Sequence, residues 1–520
     1  MGRITQSDVL FSTKPYSSPF TSIGTERIDN FYCQFAASES AKQGYYFVGI
    51  QGLHRLVDQM VSNPCRGMFT TSNSRTFGVW GTQLVELSNS GLTRTVRGQI
   101  LTSGPIVHFA ENGTVLMLVD GSFGYTLTLA SNSFARITDQ YFPGINDPTL
   151  GPTHVVSVDN HFIVNQSNTK NYYWSSPGYI EYAFDITAPT TYNYWNGLNY
   201  GTKMGDNDVI VGMASLGGLL ILFGSRTTEF HHSTGNAKGQ LFTRVDNALL
   251  NFGCLAPNSI ATIGDHVYWL GSDRDGTIGM YRVGADFTIE RVSDFGHSTR
   301  WQTYSQINDA FAYSYAVDAH QFVDICFPHG TSVDNGGVTG ATWSYDITSK
   351  TMTRRTSYDK TSGVVSMYQG IHSTYNRAWN MSLRGDKTGN AVYFLDNTYY
   401  ANDTPVDGPQ QNIQAVLTGP IAYDVNLNIF VKFLILNHQP GFAPRLGPGS
   451  DPLWAMRYSH NAGNTWGKSR TARAGSIGEY QHQTKWNLLG VSRNRVYEFS
   501  TTDPFKRLVL GYTLGYEVGI

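Results

Sequence analysis

Few residue groups in this sequence have the type and spacing to do chemistry, and each has an ordinary structural use. His231 and His232 are adjacent. Neighbours in a strand point to opposite faces, so the two imidazoles cannot readily share one metal ion. The segment SDRDGT, Ser272 to Thr277, offers Asp273 and Asp275 as oxygen ligands. It lacks the further ligands and closing Glu of a calcium loop, and Asp-Gly is a favoured hairpin pair, so a turn is expected. No GxSxG elbow, HExxH pair, GxxxxGK[ST] loop or GxGxxG after a strand occurs. The nucleophile, zinc, phosphate and dinucleotide chemistries that those spacings serve therefore have no foothold. We expect no catalytic residue, no cofactor and no metal site.

Two C-terminal groups remain as candidates for recognition. Ser459-His460-Asn461-Ala462-Gly463-Asn464-Thr465-Trp466 resembles the Asp-box of sialidases and related propellers, S-x-D-x-G-x-T-W, with Asn461 in place of the Asp. Ser459 and Asn461 can bond backbone groups across a hairpin, Gly463 suits a positive φ, Thr465 completes the pattern and Trp466 covers the turn. That makes a fastener. A sialidase needs several such boxes, an arginine trio and an activated Tyr, whereas this chain has one box and no evident pair of carboxyl groups for glycoside hydrolysis. The second group is basic: Arg457, Lys468, Arg470, Arg473, Lys485, Arg493 and Arg495 dominate 451–510, where nine Lys or Arg face four Asp or Glu. The local net charge is +5 against −7 elsewhere. Such a block is either a solvated face or a docking surface for an acidic protein or nucleic-acid phosphate.

The elements that must position these groups read as strands. Of 520 residues, 15% are charged and 13% aromatic, with 54 Gly. Aromatic and branched side chains suit a pleated surface and Gly suits the turns, so the fold class is all-β. A formal net charge of −2 argues against a protein that binds by coating phosphates with cations. The longest apolar runs, Leu216 to Phe223 and Phe430 to Leu436, are strand-sized, so no membrane-spanning segment is expected. The N-terminus lacks a secretory pattern. Cys33, Cys65, Cys254 and Cys326 have no ligand spacing and read as reduced, buried small hydrophobes.

A turn-plus-strand unit recurs as ENGTVLMLVDG, VDNHFIVNQ, SLGGLLILFGS, IGDHVYWLGSD and VDAHQFVDICF. Its markers Gly113, Asn160, Gly218, Asp265 and Ala319 are 47, 58, 47 and 54 apart. A second aromatic strand follows each, and a third segment then places similar arginines at Arg94, Arg136, Arg244, Arg291 and Arg354. Short antiparallel strands repeating at this period describe the blades of a β-propeller, which bury their faces only against one another. Units near 66–100, 104–143, 152–189, 208–245, 254–294, 307–357 and 363–400 give six or seven blades. A pair of β-sandwiches is the alternative. We expect an extended N-terminal arm over 1–44, a propeller over 45–400 with a Tyr/Asn-rich inter-blade loop near 187–207, a linker at 401–412 and a C-terminal β platform domain over 413–520. The arginines suit outer strands, where they cover apolar surface and pair with Asp139, Asp246 or Asp294.

A family resemblance rests on Ser450-Asp451-Pro452, Met456-Arg457-Tyr458-Ser459, the SHNAGNTWG turn, Ala474 to Tyr480, Trp486, Leu489 to Val496 and Thr502-Asp503-Pro504. Upstream it includes Leu222 to Glu229, Gly253 to Pro257 and Val267 to Gly271. These stretches resemble the tail nozzle proteins of short-tailed bacteriophages, also called packaged-DNA stabilisation or tail hub proteins. The resemblance implies a structural virion protein of the tail, assembled in the host cytoplasm as a hexameric ring. It implies a head-to-tail adaptor ring below the portal, tail fibres or spikes and a needle or plug as partners. Double-stranded DNA would pass through without sequence-specific binding. The rival expectations are a carbohydrate-active, sialidase-like propeller acting on host surface glycans, and a monomeric scaffolding propeller.

Overall fold

The computed structural model describes residues 4–15, 24–37, 43–57, 63–104, 106–183, 192–236, 240–331, 339–389, 391–404, 411–423 and 427–519. Within them the repeat resolves into seven antiparallel sheets, built mainly from successive hairpins. The innermost strands are Cys65–Thr70, His108–Glu111, Val155–Val158, Ile210–Leu216, Ala261–Ile263 (sharing its place with Phe252–Cys254), Phe311–Val317 and Gly370–Asn376. Each touches the next, and the seventh touches the first, so the sheets are blades of a closed seven-bladed propeller. The sequence markers fall on the first hairpin turn of blades 2 to 6. Asn160 and Ala319 hold φ of 62° and 64° there, the left-handed geometry a tight hairpin requires.

The second strand of each unit explains why the repeat is visible. Val115–Val119 is buried at every position. Leu116 and Leu118 pack toward Val79 and Leu84 of blade 1, while Met117 and Val119 pack toward Phe162 and Val164 of blade 3. A strand covered on both faces loses polar alternation and reads as a continuous apolar run. Each such side chain contributes about 1.5–3 kcal/mol of transfer free energy.

Blade 7 is completed from far away in sequence. Gly52–Val57 is its outermost strand, pairing antiparallel with Val392–Asp396. A β-carbon on Gly52 would meet the Ala401 carbonyl at 1.8 Å, so only glycine permits this approach.

The remaining strands build a two-sheet sandwich. One sheet runs Phe31–Phe35, Tyr45–Gly49, Leu508–Gly519, Asn428–His438, Thr484–Ser492, with Thr5–Val9 also paired to Leu508–Gly519. The other runs Ile28–Asp29, Ala415–Thr418, Asn494–Thr501, Leu453–Ser459, Arg470–Arg473. Phe11, Phe47, Leu434, Trp454, Phe499 and Tyr512 fill the core between them. The second sheet continues into blade 6, because Asp29 pairs in parallel with Arg354 of Thr351–Asp359. Asn30, buried beside it, donates to the carbonyls of Thr356 and Gln414 at 3.1 and 2.8 Å and accepts from the Thr356 amide at 2.9 Å.

The segment before Gly44 thus contributes strands Thr5–Val9, Ile28–Asp29 and Phe31–Phe35. Part of the stretch read as an inter-blade loop is strand: Trp195–Thr202 pairs with Asn171–Ser175 as the outermost strand of blade 3. The rest of that stretch up to residue 191, and 405–410 of the linker, lie outside the described residues.

Candidate functional site

The Asp-box-like turn closes on itself. It leaves strand Leu453–Ser459, and the Ser459 hydroxyl accepts from the amides of Asn461 and Gly463 at 3.3 and 2.8 Å while donating to Asn461 Oδ1 at 2.8 Å. Asn461 Oδ1 accepts from the Thr465 amide at 2.8 Å, and its Nδ2 donates to Thr465 Oγ1 at 2.9 Å. Gly463 holds φ 92°. Trp466 is half-buried with the Arg457 guanidinium 4.8 Å from its ring centroid. Its polar atoms are spent on one another.

The basic residues separate into two kinds. Arg457 pairs with Glu498 at 2.6 Å, and Arg473 with Asp451 at 2.8 Å and Glu479 at 3.2 Å. Arg470 donates to the Asn487 carbonyl at 2.9 Å. Arg495 is buried and donates to the carbonyls of Leu489 and Val491 at 2.8 and 3.0 Å. These carbonyls lie on Thr484–Ser492, the outermost strand of its sheet, so two arginines blunt an edge that would otherwise invite another strand. Lys468, Lys485 and Arg493 are exposed, Lys485 over the Phe433 ring at 4.4 Å and Arg493 3.4 Å from Asn428 Oδ1. The seven residues are therefore not one uniform cationic surface.

The arginines of the repeat all sit on outermost strands. Arg94 and Arg136 lie over Trp80 and Phe123, at 5.8 and 4.4 Å from the ring centroids. Arg354 pairs with buried Asp29 at 2.9 Å. Asp139 instead accepts from the amides of Tyr194 and Trp195, and Asp294 caps the helix Phe295–Gln302.

Sequence reasoning missed the propeller's hub. His108, His154 and His372 come from blades 2, 3 and 7 at the beginnings of inner strands. The rings of His108 and His154 lie 4.1 Å apart, and His372 stacks on Phe311 at 5.0 Å. His108 Nε2 meets Asn258 Oδ1 at 3.0 Å, and His154 Nε2 meets the Pro257 carbonyl at 3.2 Å. Asn258 and Pro257 lie between the two inner segments of blade 5, which stands three blades from blade 2, across the axis, and two from blade 3. The tunnel is thus bridged by direct contact. Burial lowers the pKa of all three imidazoles, with the neighbouring His108 charge adding for His154 and His372. His372 is taken down to about 3.

A second buried polar group ties blade 3 to blade 4. Lys203, wholly buried, donates to the carboxylate of Asp208 and to Thr227 Oγ1, and lies 3.7 Å from Glu229 Oε1. Glu229 reaches His231 at 3.3 Å, and His231 Nδ1 meets the Tyr172 hydroxyl at 3.2 Å. Burial alone would raise the Asp208 pKa, but the Lys203 hydrogen bond leaves it lowered. His232 is exposed on the other face. Asp273 accepts from the amides of Asp275 and Thr277 as a hairpin turn. Among the described residues no group of three or more His, Cys, Asp or Glu could hold a metal ion, and no helix is long and apolar enough to cross a membrane.

A fold of seven blades with a sandwich joined to blade 6 can be set beside known proteins. Residues 30–400 match the family described as "Bacteriophage P22 Gp10, beta-propeller", a phage-stabilisation family. The chain belongs to this family. It is a structural protein of the bacteriophage tail, a tail nozzle protein and a component of the virion. No curated protein matches it. Among solved structures it is similar to a streptogramin B lyase, with 9% identity and a TM-score of 0.40 over 66% of this chain and 97% of that one. It is also similar to the extracellular domain of a putative one-component system from B. thetaiotaomicron, with 8% identity and a TM-score of 0.40 over 68% and 41% of the two chains. A chain of the mitotic checkpoint complex has 10% identity and a TM-score of 0.36 over 70% and 99%.

Proposed function

We propose that copies of this nozzle protein form a hexameric ring that extends the portal-adaptor channel, retains packaged double-stranded DNA and conducts it during ejection. The bridged hub carries this reading. A duplex whose major groove alone is about 12 Å wide cannot pass an axis where opposite blades meet at 3.0 Å. DNA must therefore run between copies rather than through one. The sandwich, residues 413–520 with the N-terminal strands, is the platform around the conduit, and the propellers hang outside it. A chain with 15% charged residues and a net charge of −2 suits a wall that does not grip, since each phosphate neutralised adds affinity that opposes transit.

The partners in this reading are the adaptor ring below the portal, tail fibres or spikes, and a needle or plug. The exposed basic residues Lys468, Arg470, Arg473, Lys485 and Arg493 serve ring assembly or adaptor docking, and the protein has no catalytic role. Particles assembled without it should retain portal and adaptor but have empty, DNA-leaking heads, and adding it back should produce six-fold density below the adaptor. DNA-filled heads in its absence, or host-glycan release by the purified protein that a single carboxylate substitution abolishes, would overturn the proposal. Reversing Arg470→Glu together with Arg473→Glu should impair docking to portal-adaptor particles; unaltered docking would remove these two residues from the interface.

A further inference from the structure

The buried polar group between blades 3 and 4 holds the parts of a reaction as well as those of an ion pair. Lys203 is the one lysine among the described residues that is buried, a rare place for this side chain. It follows Thr202, the last residue of blade 3's outermost strand, and Asp208 stands two residues before Ile210, the first of blade 4's innermost strand. The pair therefore straddles the connection from one blade to the next, with only 204–207 between them. The side chains of Lys203, Asp208 and Glu229 are 0%, 1% and 0% exposed, so solvent is kept from all three.

Each group that an amine needs to condense with a carboxyl is in place. Lys203 Nζ touches Asp208 Oδ1, which brings the nucleophile beside Cγ, and held reactants at about 3–3.5 Å react as parts of one molecule. The other oxygen, Oδ2, accepts from the backbone amides of Arg226 and Thr227 at 2.9 and 3.0 Å. Two fixed donors thus face the atom on which negative charge would develop. The Thr227 hydroxyl accepts from Nζ at 2.6 Å and donates to Oδ1 at 3.1 Å, which makes it a relay between the nucleophile and the leaving oxygen. Glu229 Oε1, 3.7 Å from Nζ, is placed to stabilise positive charge on the nitrogen.

We propose that Lys203 and Asp208 join through a side-chain amide that staples blade 3 to blade 4. The ammonium first passes a proton to Oδ1, since a neutral pair costs less to hold in a buried site than two charges. The Nζ lone pair then attacks Cγ, and the carbonyl electrons move onto Oδ2. The surplus proton on nitrogen passes through Thr227 to Oδ1, the carbonyl re-forms, the Cγ–Oδ1 bond breaks and one water leaves. No oxidant, reductant or cofactor is consumed, and the exclusion of solvent protects the amide from hydrolysis. A cut anywhere in 204–207 then leaves the two blades covalently joined. The test is a tryptic digest of the full-length protein read by mass spectrometry. Trypsin should fail to cut after Lys203 and release 171–226 as one peptide, lighter than its sequence by one water, and fragmentation should place the bridge between residues 203 and 208. Thr227→Val removes the relay without changing charge and should slow linking about a hundredfold after cell-free synthesis, the lower end of what a positioned proton-transfer group supplies. Asp208→Ala should restore cleavage after Lys203. If either variant fails to fold, the digest of the natural chain still decides. The proposal is overturned if the natural chain is cut after Lys203, with or without loss of a water elsewhere, or if Thr227→Val links as fast as the natural chain.

Discussion

Mild acid should loosen the propeller at its hub, and His372 allows the effect to be measured. An unfolded imidazole takes up its proton as the pH falls through 6.5, whereas folded His372 stays neutral until about 3. Between those values the unfolded state binds more protons, so stability falls as the pH falls. From 6.5 to pH 5, at about 1.4 kcal/mol per unit, the loss is about 2 kcal/mol for this one side chain. No carboxylate offsets it: the groups shifting the hub imidazoles are other imidazoles, Asn258 and a carbonyl. Carboxylates held low by partners, such as Asp208, give up stability only nearer their ordinary value of 3.8. They are therefore silent in this window. His372 holds φ 48°, which Asn tolerates, so His372→Asn removes the titration with little backbone cost. Hydrogen exchange of the inner-strand amides in His108–Glu111 and Val155–Val158 should show protection falling about thirtyfold less in the variant than in the natural chain from pH 7 to 5. Equal losses in both would refute the reasoning.

Lys203→Met should cost about 3–5 kcal/mol, because it leaves Asp208 and Glu229 buried without their cation; urea unfolding followed by the fluorescence of Trp174 and Trp195 in blade 3 checks it. Leu53→Asp, which puts a charge at a fully buried position of the closing strand, should open the ring between blades 7 and 1, seen as faster hydrogen exchange at Gly52–Val57 and Val392–Asp396. Asn30→Ala should cost about 2–3 kcal/mol by stranding the buried Thr356 amide and two carbonyls, read as faster exchange at Ile28–Asp29 and Ala415–Thr418. Gly463→Ala at φ 92° should cost about 1–3 kcal/mol, measured as a lowered thermal midpoint of the sandwich.

Much of the propeller was legible because its blades are local. Hairpins place each marker turn beside the buried strand it introduces, so Asn160 and Phe162 announce one another. The outer-strand arginines were legible for the same reason. Closure was not, since nothing near Leu53 encodes that its partner is Leu395. Trp195–Thr202 is rich in Asn and Gly and reads as loop, but pairing with Asn171–Ser175 overrides that local preference. The basic block misled in a different way: charge can be counted along a chain, but whether Arg495 faces solvent or the carbonyls of the preceding strand Thr484–Ser492 depends on the sheets. The hub left a faint trace, with His108, His154 and His372 all at the start of a first strand, a register visible only once the blades are aligned.

The pairing of Thr5 with Tyr516 places a demand on biosynthesis. Ribosomes add about 5–20 residues per second, so the earliest strands wait roughly 25–100 s for the one that will cover them. Throughout that interval Thr5–Val9 has no native partner in the nascent chain, and the blade-sealing strand Gly52–Val57 lacks its own until Val392–Asp396 has been made. Crowded polysomes making this protein would then hold many unpaired β segments side by side. Yield in the infected cell would depend on how well those segments are kept apart, by chaperones or by slow initiation, before the late strand arrives.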